Sequence, residues 1–258
     1  MRFIYYPLVF VLFVYSFVPF YYPLSTKAKG FPTERVAHAG GAIDNHTYTN
    51  SYEALDYNLN NGFKYFEIDF LFTSDKHLVC AHDWRSFYPS KGPHRVPSLN
   101  EFKSIVDEEK TYKNCTLKGL SHWMNKNTGT VIITDIKSDN LRGLKKIYQQ
   151  IPEAKDRVIP QIYDPDNLKE VRKIGFKNVI WALYGHLINN NYVLYKIKDF
   201  YGNIAITMPK ERAITDLPLK LKKLGIPTYV HTVNNEGEMV MFMEEKHISE
   251  IYTDYLIP

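Results

Sequence analysis

Two cysteines are all that this 258-residue chain contains. Cys80 and Cys115 allow one disulfide, and their spacing carries no metal-binding signature. No His-Glu-x-x-His segment occurs either, which argues against a zinc site. Net charge is small: +4, spread along the chain with no long basic run, so nothing supports a nucleic-acid partner. The 20 Tyr and 15 Phe are scattered and read as core and surface, not as a platform for stacking bases. Internal repeats and low-complexity stretches are absent. What is left is ordinary globular composition, 45% hydrophobic and 23% charged, at a length that suits one large domain.

Long apolar runs are missing except at the start. From Phe3 to Leu24 there is no charged side chain, and this length can span a bilayer, with Tyr and Lys residues at its flanks that suit the interfaces. No clear small-x-small cleavage site precedes Lys27, so the segment reads as an uncleaved signal-anchor before a cleaved secretory signal or a buried helix. The expected division is therefore an N-terminal hydrophobic helix over 1–30 and a globular domain over 31–258. The expected location is membrane-anchored through that segment, with the globular part outside the cytoplasm, or secreted if the segment is cleaved.

Chemistry concentrates between Tyr65 and Asp83. Glu67 and Asp69 stand two apart in an apolar run, so on a strand both point to one face. Two carboxylates in such a setting repel each other and lose hydration unless a cation or proton offsets them. Thr73-Ser74-Asp75-Lys76 reads as a turn, and Leu78 to Ala81 as a return strand that brings His82-Asp83 back beside them. The structural alternative is a solvent-facing Glu and Asp on an edge strand with a core histidine.

Leaving out that return, eight strand-like runs follow in order. They are Arg35–His38, the run holding Glu67 and Asp69, then runs opening at Thr130, Val158, Asn178, Ile204, Thr228 and Glu250. Helical patterns lie between most of them, at Ser51–Asn61, Leu99–Val106, Leu141–Gln150, Pro165–Ile174, Leu217–Leu224 and Asn235–Glu245. Eight alternating units imply a closed α/β (β/α)8 TIM barrel, with a doubly wound open sheet as the alternative. A barrel demands that function sit at the C-terminal strand ends. The unusual polar residues fall there: His38, Glu67 and Asp69, Asp135 and Lys137, Gln161, His231 and Asn234, and Thr253-Asp254.

Glu67, Asp69 and Asp135 offer three oxygen donors, a set that favours a hard divalent ion, Mg2+ or Ca2+. Lys137 beside them suits an anionic substrate, and phosphate is the common one. His38 and His82 can pass protons near neutral pH. Each residue also has a plainer reading. His38 could be a satisfied core histidine, Asp135 a helix cap and Lys137 a solvated side chain. Asn50 could cap the first helix, and Gln161, Asn234 and His231 could be structural.

Several segments then occur in a fixed order: His38-Ala39-Gly40-Gly41, Thr49-Asn50-Ser51-Tyr52-Glu53-Ala54, Phe66-Glu67-Ile68-Asp69, Thr73-Ser74-Asp75-Lys76, Val79-Cys80-Ala81-His82-Asp83, His231-Thr232-Val233-Asn234 and Tyr252-Thr253-Asp254. In this order they resemble the glycerophosphodiester phosphodiesterase family, TIM barrels of the phosphatidylinositol-phospholipase-C-like phosphodiesterase superfamily. The resemblance covers roughly Glu34 to Leu256. It implies that His38 and His82 are general base and acid, that Glu67, Asp69 and Asp135 bind the metal, and that Lys137 binds the phosphate. Asn50, Gln161, His231 and Asn234 are candidate substrate contacts. The implied partner is a small-molecule or lipid phosphodiester.

Three positions depart from the family's pattern: Ala39 where Arg is usual, Asp135 where Glu is usual, and His231 where Trp is usual. The Asp135-x-Lys137 pair also resembles the sphingomyelinase D branch, which leaves a membrane lipid as an alternative substrate. A non-catalytic binding protein on a degenerate barrel is the alternative of another class.

Overall fold

The computed structural model describes residues 30–88, 95–184, 188–200 and 202–258. Eight parallel strands close a barrel: β1 Val36–Ala37, β2 Tyr65–Phe72, β4 Val131–Asp135, β5 Val158–Ile162, β6 Asn178–Ala182, β7 Asn203–Pro209, β8 Thr228–His231 and β9 Glu250–Thr253. Closure is made by β1, which pairs with β2 on one side (Val36 to Tyr65) and β9 on the other (Val36 to Tyr252). The remaining strand, β3 Leu78–Cys80, returns antiparallel on the end of β2 and matches the expected hairpin.

One apolar layer fills the barrel. Val36, Ile133, Ile159, Ile180, Ala205, Tyr229 and Tyr252 cluster there, and Phe31 from the preceding segment packs with them. The Tyr229 hydroxyl donates to the Pro32 carbonyl at 2.8 Å and fixes that segment in place. Because side chains alternate along a strand, the next inward positions are two residues further on. Those residues are His38, Asp135, Gln161, Ala182, Thr207, His231 and Asp254. Most are polar, so the switch from core to candidate site takes a single step up the strands.

The expected first strand, Arg35–His38, is shorter in the structure. His38 already opens a 3-10 turn, because Ala39 (φ 49), Gly40 (φ 87) and Gly41 (φ 83) turn the backbone away from extended geometry. Asn58 holds this turn through bonds from its amide to the Gly40 and Ala42 carbonyls at 3.0 and 3.1 Å. A side chain at Gly41 would collide with that amide.

Two helices longer than a single turn were not expected from the pattern, besides the four-residue helices Trp84–Phe87, Ala154–Arg157 and Lys210–Ala213. Leu117–Lys126 buries Leu117, Leu120, Trp123 and Met124, and Asn190–Ile197 buries Val193 and Ile197. The first contains Gly119 and the second opens on three asparagines, which read as a loop. The helix expected over Leu99–Val106 continues to Glu109.

Cys80 and Cys115 form a disulfide. It reinforces a backbone bond from the Cys80 amide to the Cys115 carbonyl at 2.7 Å, while the Cys115 amide donates to Asn50 at 3.1 Å. The strand leading to His82 is thereby tied to the loop that carries Asn50.

The apolar segment read as an anchor lies outside the described residues. The expectation of a membrane-anchored chain is corrected: among the described residues no helix is long and apolar enough to cross a membrane. The longest described helices have 11 residues, against about 20 needed to span the hydrocarbon core.

Candidate active site

Glu67, Asp69 and Asp135 come together at the C-terminal side of β2 and β4, where Asp69 and Asp135 are register partners. All three are buried, and one oxygen from each lies within 4.8 Å of the others. Glu67 accepts the Ala39 amide at 2.8 Å. Asn50 grips Asp69 twice: its amide donates to Oδ2 at 3.0 Å, and its carbonyl accepts the Asp69 backbone amide at 3.0 Å. Lys137 donates to Asp69 Oδ1 at 3.2 Å and lies 3.7 Å from Asp135 Oδ2. The other side of Asp135 receives two phenols, Tyr163 on Oδ1 and Tyr184 on Oδ2 at 3.4 Å.

The electrostatics show what this cluster lacks. Burial, with Asp69 and Asp135 alongside, raises the Glu67 pKa well above the ordinary carboxylate value. Burial and the Asp69 charge raise Asp135 as well. Burial alone would lower Lys137, but Asp135 and Asp69 hold it up. Among the described residues one ammonium faces three buried carboxylates, so the cluster is short of positive charge. A donor set made only of carboxylate oxygens fits a hard divalent cation such as Mg2+ or Ca2+.

The two histidines flank this cluster. His38 Nδ1 is 2.9 Å from Asp254 Oδ1, and its Nε2 lies 4.0 Å from Glu67 Oε2. Behind it, Asn234 donates to Asp254 Oδ2 at 2.7 Å and accepts the Asp254 amide at 2.8 Å. His82 Nδ1 is 2.9 Å from Asp83 Oδ2. Burial opposes ionisation of Asp83, but hydrogen bonds from His82 and Ser86 hold its pKa well below the usual range. A carboxylate only accepts, so the proton of each neutral imidazole sits on Nδ1 and the Nε2 lone pair is free. Tyr48, with left-handed backbone (φ 57), inserts its ring between them. It makes edge contacts to His38 at 4.6 Å and to His82 at 4.9 Å.

The remaining expected residues fall as follows. His231 Nδ1 is 3.2 Å from Thr207 Oγ1, and its ring lies 4.3 Å from that of Tyr184. Desolvation, with His38 and Lys137 nearby, lowers its pKa to about 3, so it is neutral. Gln161 is fully buried; its carbonyl is 3.5 Å from the Tyr252 hydroxyl and its amide nitrogen has no partner among the described residues. Asn234 stands behind His38, on Asp254, and bonds none of Glu67, Asp69 and Asp135 among the described residues. Tyr48, Tyr163 and Tyr184 were not anticipated, because their arrival depends on loop paths that no local pattern encodes. Asp83 and Asp254 did stand in the ordered segments, directly after His82 and Thr253.

No protein-family model matches the sequence, and no curated protein matches it. Solved structures do. A glycerophosphodiester phosphodiesterase from Thermotoga maritima superimposes with a TM-score of 0.65 at 20% identity, over 87% of this chain and 96% of that one. The chain has the fold of the glycerophosphodiester phosphodiesterases. A glycerophosphoryl diester phosphodiesterase from Parabacteroides distasonis gives 0.68 at 17% identity, over 88% and 86% of the two chains. An Oleispira antarctica phosphodiesterase, solved with the product sn-glycerol-3-phosphate, gives 0.63 at 15% identity, over 88% and 95%.

Proposed function

We propose that this chain is a metal-dependent phosphoric diester hydrolase acting on glycerophosphodiesters. The observation that carries this reading is the pair of carboxylate-backed histidines on either side of a buried carboxylate triad. The fold, shared with structures of that activity, agrees with it. Glu67, Asp69 and Asp135 would hold Mg2+ or Ca2+. When bound, the ion neutralises charge on a phosphoryl oxygen. Lys137, whose ammonium reaches the rim of the triad, binds a second phosphoryl oxygen. Gln161, whose buried amide nitrogen has no partner among the described residues, and the neutral His231 are the further candidate substrate contacts. Asn234 acts one step back, by orienting Asp254 against His38.

The acid–base assignment follows from the surroundings. His38, buried beside Glu67, takes the proton of the attacking water through Nε2, or that of a neighbouring hydroxyl on the substrate. A new P–O bond forms to that oxygen as the P–O bond to the leaving alcohol breaks. His82, half-exposed, enters this step as the imidazolium, with Nδ1–H on Asp83, and gives its Nε2 proton to the departing oxygen. Attack by an internal hydroxyl yields a cyclic phosphate first, which water then opens.

Incubating the full chain with glycerophosphocholine and following phosphorus NMR tests this. Glycerol phosphate, or a cyclic glycerol phosphate preceding it, is the expected product. An unchanged spectrum with every glycerophosphodiester tried, in the presence of Mg2+ or Ca2+, contradicts the proposal.

A further inference from the structure

A groove of about 650 Å3 opens beside His82, and none of Glu67, Asp69 and Asp135 lines it. Tyr48, His82, Phe87, Lys110 and Tyr112 line it. Its position matters because His82 borders both spaces. If His82 protonates the departing oxygen, the rest of the alcohol must extend past that imidazole.

Lys110 gives the groove a chemical preference. It caps the helix Leu99–Glu109, and its ammonium is held 4.7 Å from the centre of the Phe87 ring. It is only partly exposed and makes no ion pair with a carboxylate among the described residues. Desolvation accordingly lowers its pKa, an effect that the exposed Glu109 only partly opposes. The other acid on the wall, Asp83, is engaged by His82 and by Ser86 at 2.7 Å. A partly dehydrated cation on an aromatic ring, without a carboxylate, favours an anion from solution.

We propose that this groove is the leaving-alcohol subsite, and that Lys110 selects diesters whose alcohol carries an anionic group. The inference rests on the diesterase reading and deepens it. The enzyme would prefer an alcohol with a carboxylate or phosphate over one with a quaternary ammonium.

Three glycerol phosphodiesters test it, with 4-hydroxybutyrate, pentanol and choline as leaving alcohols. The wild type is expected to show its highest kcat/KM on the 4-hydroxybutyrate diester. Lys110→Gln should lower that value by about 10–100-fold, the range of one hydrogen bond to a charged group. The loss should appear mainly in KM, because Lys110 is remote from the reacting bond. The pentanol diester should be cleaved as by the wild type, which also shows that the variant folds. Lys110→Arg should keep the preference and Lys110→Glu should move it toward choline. Equal cleavage of all three by the wild type, or an equal loss on all three in Lys110→Gln, overturns the subsite and leaves the diesterase reading standing. If the wild type cleaves none of them, the diesterase reading fails, and the subsite fails with it.

Discussion

At Glu67 the candidate chemistry reduces to charge. The residue is 3% exposed and has two more carboxylates as neighbours, with Lys137 as the nearby ammonium. A folded chain keeps such a cluster only if a proton or a cation offsets it. The histidines carry the other half of the account. Replacing His38 or His82 by alanine should lower kcat by about 10²–10⁴-fold, the usual worth of a positioned proton-transfer group. Steady-state cleavage rates measure this, and wild-type rates in either variant would remove that residue's role. The residues legible in the sequence were those on strand ends, where the period of two places Glu67 and Asp69 together and the barrel rule adds His38 and Asp135. Tyr48 was illegible because it arrives on a loop with left-handed backbone, and Tyr163 and Tyr184 because they reach Asp135 from beyond β5 and β6. Asn234 was legible as a polar residue near a strand end. Its orientation toward Asp254 depends on how neighbouring strands align.

Among the elements, the inserted segment between β2 and β4 has the most local design. Its helix Leu99–Glu109 opens on a capping box, with Ser98 and Glu101 bonding each other's backbone. Hydrogen bonds from Arg95 and then Ser98 lower the Glu101 pKa from 4.5 to about 2. A carboxylate with a depressed folded-state pKa adds stability above its unfolded pKa and loses it as pH falls through the folded one. The stability gap between wild type and Glu101→Gln should therefore be full above about pH 5. It should close as pH falls toward 2. Thermal melting at a series of pH values reads this gap, and a pH-independent gap would contradict the linkage. The disulfide acts on the same segment by closing a loop with a sequence separation of 35. Chain entropy for a loop of that length gives about 3–4 kcal/mol. Reduction, or a Cys80→Ser and Cys115→Ser pair, should lower stability by about that much in denaturant titrations. The hairpin was legible from its turn residues. The helix Leu117–Lys126 was obscured by Gly119 despite apolar positions at helical spacing, and the opening asparagines of Asn190–Ile197 masked the helix they cap.

For the whole molecule, closure of eight parallel strands puts the polar residues of distant segments on one rim while Phe31 and the apolar layer fill the interior beneath it. Barrel closure was legible because eight apolar runs alternate with helical patterns, and the hairpin did not disturb the count. The central claim is that Glu67, Asp69 and Asp135 form a metal site on which diester cleavage depends. A ligand that binds only the folded state stabilises it by about 2.7 kcal/mol at a hundredfold excess over Kd. The direct measurement strips the full chain with EDTA and titrates in Mg2+ or Ca2+. Thermal melting and cleavage of bis-p-nitrophenyl phosphate are followed together, for the wild type and for Glu67→Gln. The account predicts that melting temperature and cleavage rise together in the wild type and that both responses are lost or strongly weakened in Glu67→Gln. Undiminished cleavage in EDTA, or the same metal response in both proteins, would contradict it.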